Sequence, residues 1–99
     1  MTIRRVKRVE IVVDSLHLTR VLEALAEAGV PVYTVLPNAE GRGERGQQRA
    51  DDVSGSSGNA YVLVAIDPDQ VSDVAEQVRP LLHAFGGICL ISDAEWLEH

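Results

Sequence analysis

The chain has one cysteine, four aromatic residues and no apolar run long enough to cross a membrane, and each shortage removes a class of protein. A single Cys leaves no internal disulfide framework and fits a reducing cytoplasm. With one Phe, one Trp and two Tyr, aliphatic packing has to build the core. Residues 1–15 mix charge into a short apolar stretch and carry no cleavage pattern, so they do not read as a signal peptide. Cations are scarce as well: nine Lys and Arg stand against fifteen Asp and Glu, for a net charge of −6. That balance argues against general nucleic-acid binding. Nothing assembles a catalytic or metal-binding constellation. His17 and His83 read as surface or boundary positions and Cys89 as a small buried hydrophobe. The chain is therefore not read as an enzyme.

What is present is one domain, spanning 1–99, with enough apolar residues for a modest core. Val6 to Val13 is β-branched and reads as a strand. Asp14 or Ser15 caps a helix on which Leu18, Val21, Leu22, Leu25 and Ala28 recur at helical spacing, stopped by Gly29 and Pro31. Val32 to Leu36 and Ala60 to Ile66 are two further strands. Asp67-Pro68-Asp69-Gln70 is a helix start, with Asp as cap, Pro in first position and Gln three residues after the cap. The apolar stripe from Val71 to Phe85 follows, with Pro80 expected to kink or split it. Gly86-Gly87 ends it, Ile88 to Ile91 is a fourth strand, and Asp93 to Trp96 is expected to form a last turn or short helix. The order β-α-β-β-α-β predicts an α+β, ferredoxin-like sandwich, two helices on one face of a four-stranded antiparallel sheet. Ile11-Val12-Val13, Val62-Leu63-Val64-Ala65-Ile66 and Ile88-Cys89-Leu90-Ile91 are apolar on both faces, although the helices can bury only one. The other face is expected to meet copies of the same chain.

The remaining feature is a long polar connection, about residues 38–58, between the second and third strands. It holds five of the eight glycines and three of the nine basic residues. Connections of this length in small domains are usually functional. Gly41-Arg42-Gly43-Glu44-Arg45-Gly46 is superficially a dinucleotide fingerprint, but no amphipathic helix follows it, so that reading fails. What survives is an anion site: glycines that let backbone N–H groups converge, and arginines that add charge-assisted bonds. A merely solvated, flexible segment is the plainer alternative, and Ser54-Gly55-Ser56-Ser57-Gly58 has linker composition. Tyr33 and Tyr61 flank the roots of the connection, where a base or ribose could pack; for Tyr61, filling a sheet edge is the alternative. Leu97-Glu98-His99 has the form of an expression-tag scar, and His99 is given no function.

These features together resemble the PII signalling superfamily. The resemblance rests on the Val32-Tyr33-Thr34-Val35 strand, the Gly41-to-Gly46 loop root and the return at Ser57-Gly58-Asn59-Ala60-Tyr61. The Phe85-Gly86-Gly87-Ile88-Cys89-Leu90-Ile91-Ser92-Asp93-Ala94-Glu95 closing segment completes it. It covers nearly the whole chain. In detail the chain is less similar to the nitrogen-regulatory group: its long loop has no Tyr, and Phe85-Gly86-Gly87 stands where that group has Gly-Asp-Gly-Lys. It is more similar to the PII-like group associated with carboxysomes and bicarbonate transporters, without the Cys-bearing C-terminal extension some of those members have.

The resemblance implies a cytoplasmic homotrimer that binds adenine nucleotides (AMP, ADP, ATP or cyclic AMP) in three intersubunit clefts. Carried over by position, Gly41, Arg42, Gly43, Arg45 and Gly46 would hold phosphates. Thr34, Val35, Gly86, Gly87 and Ile88 would line the base pocket, and Arg45 or Arg49 would hold bicarbonate. The ligand would order the loop, and the loop would engage a membrane bicarbonate or anion transporter or otherwise regulate carbon fixation. Two other trimeric or regulatory relatives of this topology are alternatives. A CutA-like metal-tolerance protein is disfavoured by the few His and Cys, and an ACT-like small-molecule domain by the free-standing chain and the long loop.

Overall fold

The structure is a computed structural model that describes residues 2–43, 46–48 and 58–99, with 41–43 and 46–48 described through their backbone pairing. Strand β1 (Thr2–Asp14) leads through a 3-10 turn (Ser15–His17) into helix α1 (Leu18–Glu27). β2 (Thr34–Ala39) follows, then the short strands β3 (Gly41–Gly43) and β4 (Gly46–Gln48), then β5 (Asn59–Ile66). A second 3-10 turn (Pro68–Gln70) opens helix α2 (Val71–Phe85), and β6 (Ile88–Glu98) ends the fold. The main sheet has the order β2-β5-β1-β6, every pair antiparallel. This is the expected βαββαβ sandwich.

The core is built almost wholly from small aliphatics. Val9, Ile11 and Val13 of β1 meet Val62, Val64 and Ile66 of β5 across the register. Val21 and Leu25 of α1 and Val74 and Val78 of α2 close over them, all fully buried. Alternation along β1 and β5 sets this pattern, since every second side chain points at the helices.

Local signals explain the helix ends. Asp14 accepts a hydrogen bond from Leu16 N–H (2.9 Å) at the 3-10 turn before α1. At α2, Asp67 and Gln70 form a reciprocal capping box, with Asp67 N–H donating to Gln70 Oε1 (3.0 Å), and Pro68 needs no donor there. α2 runs unbroken through Pro80, so the expected split does not occur. Pro80 lies on the exposed side with Glu76, where water can take the carbonyl that the missing N–H would have bonded.

Three further expectations are corrected. Asp93 to Trp96 is neither turn nor helix: β6 continues to Glu98 and pairs with β1 throughout. The pairing sets Lys7 opposite Asp93 and Arg5 opposite Glu95, so the charges that looked like a polar terminus are cross-strand partners. Lys7 Nζ donates to Asp93, and that bond holds the Asp93 carboxyl below its usual range. Second, β2 begins at Thr34 and runs to Ala39, beyond the expected Val32 to Leu36. It carries a register irregularity between Leu36 and Ala39, where Asn38 takes a left-handed conformation (φ 60°). Pro37 is tolerated there because β2 is an edge strand and the bulge interrupts its ladder. Third, Tyr61 lies on an inner strand, not a sheet edge.

Candidate functional site

Everything at one end of the sheet converges on the long connection. β2 and β1 finish there, and β5 and β6 start there, because neighbouring strands are antiparallel. Leu36, Tyr61, Val12 and Ile88 form one row across the sheet at this end. The connection leaves through the Asn38 bulge and returns at Gly58, which is buried with φ 97°. Ser15 N–H donates to the Gly58 carbonyl (3.0 Å), tying the returning chain to the turn that starts α1.

The glycine-arginine run is more regular than a free loop. Gly41 pairs with Gln48, Arg42 with Gln47 and Gly43 with Gly46, an antiparallel hairpin with two residues at its tip. Sequence reading missed it because the usual strand signal, β-branched or aromatic alternation, is absent from Gly-Arg-Gly and Gly-Gln-Gln. The one available sign was a two-residue interval between glycines. Pairing commits part of the glycine backbone to the ladder. Arg45 and Arg49 lie outside the described residues, as does the Ser54–Ser57 stretch.

The closing segment is sterically defined. Gly86 caps α2 with φ 81° and donates its N–H to the Leu82 carbonyl (2.8 Å). Gly87 has φ 103°, and a Cβ there would lie 2.5 Å from the Val12 carbonyl oxygen. Only glycine fits. Ile88 follows as the exposed end of the row that starts at Leu36.

The structure does not bring all the expected residues together within one chain. Thr34 and Val35 stand at the start of β2, away from its loop end, and point to opposite faces: Thr34 is exposed, whereas Val35 packs on the core. Gly41–Gly43 follows β2 at one edge of the sheet, and Gly86, Gly87 and Ile88 lie at the other. Three strand spacings separate the edges, about 14 Å. Tyr33 precedes β2 and does not flank the loop, and Tyr61 Oη donates to Glu10 Oε2 (2.6 Å) rather than standing free. That bond to Glu10 raises the Tyr61 phenol above its ordinary value.

One group at this end escaped the sequence reading. His17, expected at the surface or boundary, is half-buried and stacks on Phe85 with ring centroids 4.0 Å apart and planes 13° apart. The Arg20 guanidinium lies 5.3 Å from the same ring centroid. The stack joins the start of α1 to the last residue of α2, beside Gly86 and Gly87. Sixty-eight residues separate His17 from Phe85, and no local signal links them. Cys89 is half-buried against the core, and burial pushes its thiol up, away from reactivity. Among the described residues no group of three or more His, Cys, Asp or Glu could hold a metal ion. No helix among them is long and apolar enough to cross a membrane.

The sequence profile described as nitrogen regulatory protein P-II matches residues 6–98. No curated protein sequence matches the chain. Among solved structures, the chain is similar to CPII, a nitrogen regulatory PII-like protein from Thiomonas intermedia K12, bound to ADP, AMP and bicarbonate. That likeness has a TM-score of 0.87 at 22% identity, covering 96% of this chain and 91% of the other. The apo form of CPII is similar at a TM-score of 0.78 and 20% identity, with 96% and 95% covered. A PII-like signalling protein from Thermus thermophilus is similar at a TM-score of 0.79 and 19% identity, with 98% and 94% covered.

Proposed function

Since the chain belongs to the nitrogen regulatory protein P-II family, we propose that it is a non-enzymatic, PII-like signalling protein that senses adenine nucleotides as a homotrimer. One observation carries this reading. The loop root and the Gly86-Gly87 segment emerge at the same end of the sheet but at opposite edges. A cleft using both is completed when the β2 edge of one protomer approaches the β6 edge of the next. A nucleotide there would take the Gly41, Arg42, Gly43 and Gly46 hairpin, with Arg45, on its phosphates. Gly86, Gly87 and Ile88 of a neighbour would face its base or ribose. The relative CPII carries ADP, AMP and bicarbonate, which supports an adenine nucleotide with a small anion beside it, held here by Arg45 or Arg49. The single domain, its long connection and the loop-dependent control of a bicarbonate or anion transporter belong to the same proposal. Ligand binding would shift the loop between two populations, one of which engages the target.

Titration calorimetry with AMP, ADP, ATP and cyclic AMP, with and without bicarbonate, tests it. At least one nucleotide should bind at one site per protomer. Arg42→Ala and Arg45→Ala should each weaken binding by about 10-fold or more, the loss of a charge-assisted hydrogen bond worth about 1.5–3 kcal/mol. A folded, assembled protein that binds none of the four would refute the proposal.

A further inference from the structure

The face of the sheet turned away from the helices carries large apolar side chains that no other described residue covers. Leu36, Ile88, Leu90 and Trp96 lie on it, between 43% and 56% exposed. In the middle of this face is a charge pair. Register places Glu10 between Leu63 and Leu90, and Arg8 between Ala65 and Ser92. Arg8 Nε lies 3.5 Å from Glu10 Oε1 and 3.2 Å from Ser92 Oγ. The second Glu10 oxygen takes the Tyr61 hydroxyl. Among the described residues, the two terminal nitrogens of the Arg8 guanidinium have no partner.

We infer that Arg8 and Glu10 pair between protomers, Arg8 of one copy with Glu10 of the next, and so decide which chains assemble through this face. The inference rests on the homotrimer reading and names the contact that makes the trimer selective. An apolar face alone would accept many partners. One carrying a cation and an anion side by side rejects a purely cationic or purely anionic partner, while a second copy answers both charges. Covering the face strips water from Glu10 and Arg8. A charge buried there without its opposite is strongly disfavoured. The loose pairing within the chain leaves Arg8 free to bridge outward, and the Tyr61 bond holds Glu10 in place to receive it.

The test is native mass spectrometry of the full-length wild type, Arg8→Glu and Glu10→Arg chains, alone and mixed, with circular dichroism confirming that each is folded. The Arg8→Glu chain has acids at both positions 8 and 10, and the Glu10→Arg chain has bases at both. Each alone should need about 100-fold higher concentration than wild type to assemble, and the mixture should form mixed trimers at a concentration between the two, because a ring of three cannot alternate and keeps one like-charge contact where each single variant has three. Arg8→Met/Glu10→Met, which leaves no unpaired charge, should assemble on its own, guarding against a variant that simply misfolds. Single variants that assemble like wild type would overturn the inference. So would a mixture that assembles no better than the single variants, because then the pair acts only within its own chain. Wild type that remains monomeric would instead defeat the trimer reading on which the inference stands.

Discussion

Gly87 is the position where one atom matters most. Its positive φ and its contact with the Val12 carbonyl together exclude any side chain. Gly87→Ala should lower unfolding stability by about 3 kcal/mol, the sum of a strained backbone and a forced strand displacement. Urea denaturation followed by circular dichroism measures it. Gly29 is the internal comparison: it also has positive φ, yet nothing lies within 4 Å of its Cβ position. Gly29→Ala should therefore cost less, about 1 kcal/mol. Sequence reading correctly took Gly86-Gly87 as a helix stop, since glycine dipeptides punctuate helices. It had no means of seeing that Gly87 also permits a close approach to β1, because that contact lies seventy-five residues away in the chain.

Among the elements, α2 was the most legible. Its Asp-Pro-x-Gln start encodes the capping box within four residues, and the structure forms that box. Asp67 also accepts a salt bridge from Arg4 of β1, so one side chain both caps α2 and anchors it to the sheet. Asp67→Ala should cost about 1 kcal/mol, mostly the lost cap, because the Arg4 pair is exposed. Asp67→Asn should recover most of it, as thermal melts of the two variants would show. β6 was legible only in its first half. Its second half is specified by partners on β1, and a strand held by cross-strand charge is silent in a window that sees one strand at a time. The β3–β4 hairpin was hidden for a different reason: glycine carries no strand preference, so pairing there is set by backbone and turn length alone.

At the scale of the whole molecule, two-sided apolar strands predicted a face without a cover, and Leu36, Ile88, Leu90 and Trp96 occupy it. Leu90→Asp should dissociate the proposed trimer while leaving the fold intact, since Leu90 is more than half exposed in the single chain. Analytical ultracentrifugation would read the change toward the 10.7 kDa monomer. The candidate site was legible in part. Glycine and arginine composition marked the Gly41-to-Gly46 run and the closing segment as candidates, but residue order could not reveal that the run pairs as a hairpin or that the two stand at opposite sheet edges. Thr34 and Val35 show the same limit: adjacent in sequence, they face apart because alternate residues of a strand always do.

The long pairing of β1 with β6 sets Thr2 opposite Glu98, at the corner diagonally remote from the hairpin root. A fluorescent protein or affinity handle fused at either end would therefore hang clear of the proposed nucleotide cleft. The same adjacency makes a head-to-tail splice geometrically easy, so new chain ends could be opened elsewhere to couple ligand arrival to an optical readout.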